Sequence, residues 1–214
     1  MGEMTGVKEE LKEAIIKGKR DVVEPLIRKA LSEGRGPEEI MDKMMIPAMD
    51  VVGDRFSRNE IFLPEMMIAA RAMNTGLEIL RPILAAKGVS SKGKVVIGTV
   101  KGDLHDIGKN LVAMMLESAG FEVCNLGVDV SPEKFVAEIK ARDANLLCLS
   151  ALLTTTMPMM KKTIDATVAA GLRDRVKVLI GGAPVTQQFA GDIGADGYAP
   201  DAGSAVKAAK AILQ

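Results

Sequence analysis

The sequence predicts two domains of different class: a bundle of four helices over residues 1–88, and an α/β domain with a five-stranded parallel sheet over residues 93–214. Up to about residue 87, apolar residues recur only at helical spacing. From Lys94 onward, short apolar runs rich in β-branched residues alternate with helical patterns, which is typical of a parallel sheet with helical crossovers. The polar, breaker-rich segment Lys87–Lys94 is a plausible short linker between the two domains.

Four amphipathic segments are predicted in the first domain. Gly and Pro residues separate them, and Pro47 is expected to bend the third. Seven of the 14 methionines fall between residues 41 and 73, a pattern that favours core packing for most of them. The predicted segments are approximately Val7–Gly18, Val22–Leu31, Pro37–Val52 and Pro64–Leu84.

Five strands and five helices are predicted to alternate in the second domain. A sheet of this kind favours the flavodoxin-like, Rossmann-like strand order 2-1-3-4-5, which places the loops after the first and third strands side by side. The predicted strands are 95–100, 121–126, 145–150, 176–180 and about 195–198, and the predicted helices are at about 107–119, 132–142, 157–170, 184–191 and 201–213.

The composition excludes several function classes. Lys and Arg balance Asp and Glu at 28 each, so no excess of positive charge favours nucleic acid or an anionic membrane. No signal peptide and no apolar run of membrane-spanning length is found, and a cytoplasmic location is expected. Cys124 and Cys148 lie in apolar strand-like runs without metal-ligand spacing, which favours buried free thiols.

The only histidine of the chain, His105, lies in the polar loop after the first predicted strand. Asp103 precedes it by two residues, so its carboxylate can accept one ring N–H and leave the other nitrogen free to bind a metal. A lone histidine in a loop is more often structural or solvated, and both interpretations stay open on these residues alone. Small residues at the strand ends, such as Ser150 and Gly181, indicate either simple turns or a deep slot between the sheet and its helices.

Three motifs in order, Asp103-x-His105-x-x-Gly108, Ser150-x-Leu152 and Gly181-Gly182, resemble the cobalamin-binding domain. This domain occurs in methionine synthase, in corrinoid-dependent mutases and in the small corrinoid proteins of methyltransferase systems. The segment with Gly53-Asp54 and Phe62-Leu63-Pro64 resembles the helical cap of methionine synthase, so the resemblance covers nearly the whole chain.

The resemblance implies that cobalamin binds with its benzimidazole displaced from cobalt and its tail in the slot. His105 would then be the cobalt ligand, and His105, Asp103 and Thr156 would form the relay in which methionine synthase has a serine at the third position. A threonine hydroxyl can donate the same hydrogen bond, although the run 154–156 also fits a helix N-cap. The expected cofactor contacts are Gly102, Asp103, Leu104, His105, Asp106, Ile107, Gly108, Ser150, Leu152, Thr154, Gly181, Gly182 and, from the cap, Phe62. Asp106 is otherwise a solvated charge, and Lys109 and Asn110 are expected to be surface residues.

In function, the resemblance implies a corrinoid protein that carries a methyl group on cobalt, a subunit rather than a complete enzyme. Its expected partners are a substrate-specific methyltransferase for a methylamine, methanol or methoxylated aromatic donor, a second methyltransferase that delivers the group to tetrahydrofolate or coenzyme M, and a corrinoid reductive activase. The alternatives are a cobalamin-dependent sensor, a corrinoid-free flavodoxin-like or receiver-like module, and a mutase subunit. A sensor would be expected to carry an output domain, and no such segment is identified in this sequence. A receiver-like module would need a phosphate-accepting aspartate after the third strand, where Ser150 lies.

Overall fold

A computed structural model describes residues 2–87 and 91–213 of the chain, with side chains from residue 6 onward. It divides into two compact units, one comprising the first 91 residues with Glu117–Gly120, the other Lys92–Leu116 with the chain from Phe121. The predicted linker falls partly on residues 88–90, which lie outside the described residues. Among the helices described, none is long and apolar enough to cross a membrane.

The helical unit has the four predicted segments. They are α1 (Gly2–Ile16), α2 (Arg20–Ser32), a composite third segment made of α3 (Pro37–Ile40), a π-helical turn (Met41–Met45) and α4 (Ile46–Ser57), and α5 (Leu63–Ala86). The π turn ends just before Pro47, where the Ile46 N–H donates to the Met41 carbonyl five residues earlier. Pro47 has no N–H to continue the α-helical ladder, and this register change is the form that the expected irregularity takes.

Most methionines of this unit pack in its core, as predicted. Met44, Met45, Met66 and Met73 are at most 1% exposed. Gly76 on α5 makes this packing possible, because a Cβ there would lie 2.5 Å from the Met45 terminal methyl group.

The second unit is the predicted α/β domain, and its parallel sheet has the predicted order β2-β1-β3-β4-β5. Consecutive residues of the central strands are buried, so the core is apolar on both faces of the sheet, as expected for a sheet covered by helices. The strands are β1 (Lys94–Thr99), β2 (Glu122–Asn125), β3 (Leu146–Ser150), β4 (Lys177–Gly181) and β5 (Gly197–Ala199), and the helices are α6 (Ile107–Ser118), α7 (Pro132–Arg142), α8 (Pro158–Ala169), α9 (Gln187–Ile193) and α10 (Ala202–Ile212).

Two details of the sequence interpretation were wrong. Helix α9 begins at Gln187 rather than at residue 184, because Thr186 is its N-cap and accepts the Phe189 N–H. Of the two free cysteines, only Cys148 is buried, and burial raises the pKa of its thiol to about 12; Cys124 is half-buried.

Candidate functional site

The carboxylate of Asp103 joins the loops after β1 and β3. Its side chain is fully buried. Oδ1 accepts the backbone N–H of His105 at 3.1 Å and lies 2.8 Å from the ring Nδ1 of the same residue. Oδ2 accepts the N–H groups of Leu152 and Leu153 at 2.8 and 3.3 Å, and the Thr156 hydroxyl at 2.7 Å. The topology thus brings residues about 50 positions apart onto one carboxylate.

These hydrogen bonds keep Asp103 ionised. Burial alone would raise the pKa of its carboxyl group. The hydrogen bonds, with that from Thr156 contributing most, together lower this pKa by more, so it lies well below its ordinary range. An ionised carboxylate can only accept hydrogen bonds, so the proton between the two side chains belongs to Nδ1 of His105.

The other ring nitrogen of His105, Nε2, is therefore available as an electron-pair donor. The imidazole is 51% exposed, and no residue in the described part of the chain hydrogen-bonds to Nε2. The loop itself is fixed from below, because the buried Thr99 hydroxyl donates to the His105 carbonyl at 2.8 Å. One ring nitrogen, Nδ1, is held by the carboxylate, and the other, Nε2, is open to solvent. Metal-binding histidines have the same arrangement.

The single available donor, Nε2 of His105, suits a metal whose other ligands are supplied by a cofactor. Within the described ranges, no group of three or more His, Cys, Asp or Glu side chains is placed to hold a bare metal ion. A single imidazole nitrogen fits a metal that is already held by a macrocycle and needs one axial ligand. Apolar side chains on the same two loops and at the start of α6 offer a surface for such a planar group: Leu104 and Ile107 are each 72% exposed, and Leu152 and Leu153 about 40%.

Glycines at the end of β4 bring backbone close to backbone. Gly182 has φ +134°, and a Cβ there would lie 1.9 Å from the Ala151 carbonyl oxygen, so no side chain fits. Gly181 is the register partner of Ser150 on β3, and the Ser150 hydroxyl makes no hydrogen bond within the described residues. The predicted slot residues Ser150, Gly181 and Gly182 are therefore neighbours.

The other predicted residues are placed as follows. Thr156 bonds to Asp103 instead of capping α8, whose N-cap receives no side-chain hydrogen bond, so the N-cap alternative was wrong. Thr154 is exposed and lies outside the Asp103 cluster. Gly108 is in the first turn of α6, where an added Cβ would meet nothing within 4 Å, and the exposed Asp106 accepts a hydrogen bond from Asn110. Phe62, in the helical unit, is 65% exposed directly before α5; its contact with a cofactor stays a prediction.

The prediction that Lys109 is a surface residue was wrong, because its side chain is buried. Its Nζ donates to the side-chain oxygens of Asn110 and Asn125, and burial lowers the pKa of its ammonium group. Thr99 and Leu153 were not identified from the sequence. A threonine ending a strand resembles any strand residue, and a backbone N–H leaves no trace in residue type.

Comparison with known proteins shows to which family the chain belongs. A B12 binding domain model matches residues 93–207, and a second B12 binding domain model matches residues 7–81. The chain belongs to the B12-binding family. Both matched domains indicate that cobalamin is the cofactor.

Relatives of this B12-binding chain are corrinoid proteins. It is 45% identical over 208 residues to a corrinoid protein of Desulfitobacterium hafniense (strain Y51), with 96% of each chain covered. It is 47% identical over 206 residues to the dimethylamine corrinoid protein 1 of Methanosarcina acetivorans, again with 96% of each covered. A chain of the methanol:cobalamin methyltransferase complex MtaBC of Methanosarcina barkeri has the same fold, with a TM-score of 0.84, 32% identity, and coverage of 97% of this chain and 80% of that one.

Proposed function

We propose that the chain carries a methyl group on the cobalt of its corrinoid between two methyltransferases, and that His105 is the lower axial ligand while the benzimidazole is displaced. The observation that carries the ligand assignment is the imidazole of His105, with Nδ1–H held by an ionised carboxylate and Nε2 without a partner. The carrier role is supported by the names of the relatives, which include dimethylamine and trimethylamine corrinoid proteins.

When bound, cobalamin supplies the cobalt that accepts, holds and releases the methyl group. The residues of the chain set the position and charge of the imidazole. Asp103 holds the Nδ1 proton, which orients the ring and increases the donor strength of Nε2. Thr156 donates to the other carboxylate oxygen and keeps that carboxylate in place.

The slot residues would hold the displaced tail of the cofactor. The Ser150 hydroxyl is available to donate a hydrogen bond, and the glycines beside it, Gly181 and Gly182, leave no side chain at the end of β4. Leu104, Ile107 and Leu152 would contribute apolar contact area next to the imidazole.

The partners follow from this role. One methyltransferase would load the corrinoid from a methylamine or methanol, and a second would deliver the group to tetrahydrofolate or coenzyme M. A reductive activase would restore corrinoid that has been oxidised. Substrate choice would belong to the first methyltransferase.

Reconstitution tests the ligand assignment. Apoprotein is mixed with cobalamin and desalted, and its visible spectrum is compared with that of His105→Ala. We expect a coloured wild-type complex whose axial-ligand bands differ from those of free cobalamin, and a variant that has lost them. A colourless wild-type protein, or identical bands in the variant, would contradict the assignment.

A single-turnover experiment tests the carrier role against a sensor. Apoprotein is loaded with methylcobalamin and mixed with purified candidate methyltransferases, each with its acceptor. We expect loss of the methylcobalamin absorption together with stoichiometric methylation of the acceptor, and no such loss when the acceptor is omitted. Retention of the methyl group with every methyltransferase encoded beside this gene would favour a sensor.

A further inference from the structure

The loop between β2 and α7 is hydrogen-bonded to the loop that carries His105, which we call the histidine loop. The contacts are at the beginning of the histidine loop, at Gly102 and Asp103. Asp129 Oδ1 accepts the Gly102 N–H at 2.7 Å, and the Asp129 N–H donates to the Asp103 carbonyl at 3.0 Å. These two hydrogen bonds hold the peptide groups on either side of the Gly102–Asp103 peptide bond, so together they restrain this segment of the histidine loop.

The last residue of β2, Asn125, which directly precedes this loop, is hydrogen-bonded to the first turn of α6. The buried Lys109 ammonium donates to Asn125 Oδ1 at 2.7 Å and to Asn110 Oδ1 at 2.5 Å. Asn125 also donates from Nδ2 to Asn110 Oδ1 at 2.9 Å, and its Oδ1 accepts the Gly127 N–H. Asn125 therefore fixes the first turn of α6 against the end of β2.

Asp129 has a positive φ, a backbone conformation that few non-glycine residues adopt. Among the described residues, three non-glycine residues have positive φ: Asn59, Asp129 and Asp143. Asp143 is the left-handed C-cap of α7, an ordinary use of this conformation. Asp129, with φ 53°, is in a loop, where its side chain and N–H both bond to the histidine loop. Holding a residue in this region requires surrounding contacts that determine it, and such residues cluster at functional sites.

We propose that Asn125 and Asp129 are positioning residues, and that the loop after β2 sets the direction of the His105 imidazole. Gly102 has φ +81° and could otherwise adopt many conformations. Since Asp103 follows it directly, rotation at Gly102 would move the carboxylate that aims the ring. The role in cobalt ligation rests on the proposed function, whereas the aiming of the ring is a property of the apoprotein.

The contact that matters is the acceptor oxygen of Asp129 rather than its charge. Lys101 Nζ lies 3.5 Å from Asp129 Oδ2, and both side chains are about half-exposed. Exposed ion pairs of this kind contribute little. Asn keeps an acceptor oxygen and tolerates positive φ, so Asp129→Asn should preserve the arrangement, while Asp129→Ala should lose it.

Two readouts test the proposal with tag-free protein labelled with ¹⁵N-histidine. In the apoprotein, the sole imidazole gives a ¹H–¹⁵N spectrum that reports the Nδ1–H tautomer directly. We expect this tautomer in wild type and Asp129→Asn, and tautomer mixing in Asp129→Ala. In the holoprotein, we expect Asp129→Ala to raise the Kd for cobalamin by roughly 10–100-fold, as for other residues that orient a ligating histidine.

Asp143→Ala is the matched control, because it places the same alanine at the same φ and removes only an exposed pair with Arg175. It should leave the imidazole spectrum and the Kd at wild-type values. An imidazole spectrum in Asp129→Ala equal to that of wild type would overturn the proposal, as would an Asp129→Asn as defective as the alanine variant. If the wild-type holoprotein showed no ligation of cobalt by His105, the proposed function would be overturned instead. The imidazole spectra of the apoproteins would still decide whether the loop after β2 orients the ring.

Discussion

The loops after β1 and β4 are built in opposite ways at the same edge of the sheet. The loop after β1 is held by side chains, since the Asp103 carboxylate alone makes five hydrogen-bond contacts with groups of two loops. The loop after β4 depends on the lack of a side chain, because backbone atoms approach closely at Gly182. Aiming a ring requires fixed donors and acceptors, whereas the close approach of two backbone segments requires a residue without a side chain. The two loops should therefore respond to different substitutions.

The largest expected effect is at Gly182. In Gly182→Ala, the new methyl group would meet the Ala151 carbonyl oxygen at 1.9 Å in a conformation that L residues rarely adopt. We expect a loss of at least about 3 kcal/mol in the free energy of unfolding, measured with urea.

Gly171→Ala is the control for Gly182→Ala, with φ +68° and open space around the added methyl group. It should lose only about 1–2 kcal/mol through the left-handed backbone. Equal losses in the two variants would show that close backbone approach does not shape the loop after β4.

At the other loop, Asp103→Asn places an NH2 group against N–H donors. We expect a loss of about 2–3 kcal/mol in unfolding free energy, because buried donors lose their acceptor, together with roughly 10–100-fold weaker cobalamin binding. Asp106→Asn on the same loop is exposed and should change the unfolding free energy by less than about 0.5 kcal/mol. Full stability in Asp103→Asn would contradict the hydrogen-bonded arrangement.

The contribution of Asp103 should depend on pH in one direction. Because its pKa is lower in the folded state than the unfolded value of about 3.9, the stabilisation is complete above that value and is lost as the pH falls below it. The difference in unfolding free energy between wild type and Asp103→Asn should shrink as the pH falls below about 4. A difference that grows in acid would mean that the folded-state pKa is raised.

The smallest effect on stability is expected at Leu104, which is 72% exposed. Leu104→Ala should change the unfolding free energy by less than about 0.5 kcal/mol, while weakening cobalamin binding roughly tenfold through lost apolar contact. Val168→Ala on α8, at 55% exposed, is the control and should change neither quantity. Unchanged cobalamin affinity in Leu104→Ala would remove the residue from the apolar surface of the site.

The sequence was sufficient for the strand order and for the meeting of the loops after β1 and β3, because alternating patterns and parallel topology dictate both. It was insufficient where contacts use backbone groups or buried charge. The Leu153 N–H has no signature in residue type. Lys109 looks like any exposed lysine until the Asn110 and Asn125 oxygens are seen to satisfy its ammonium in the interior. The strained backbone of Asp129 is likewise set by its neighbours in space.

The most direct test of the account is electron paramagnetic resonance of the Co(II) cobalamin holoprotein, prepared with ¹⁴N-histidine and with ¹⁵N-histidine. If Nε2 of His105 is the lower ligand, the nitrogen superhyperfine pattern will change from a triplet to a doublet on labelling, since the chain has one histidine. A triplet that persists in the labelled protein would show that the cofactor keeps its own benzimidazole, and it would contradict the assignment.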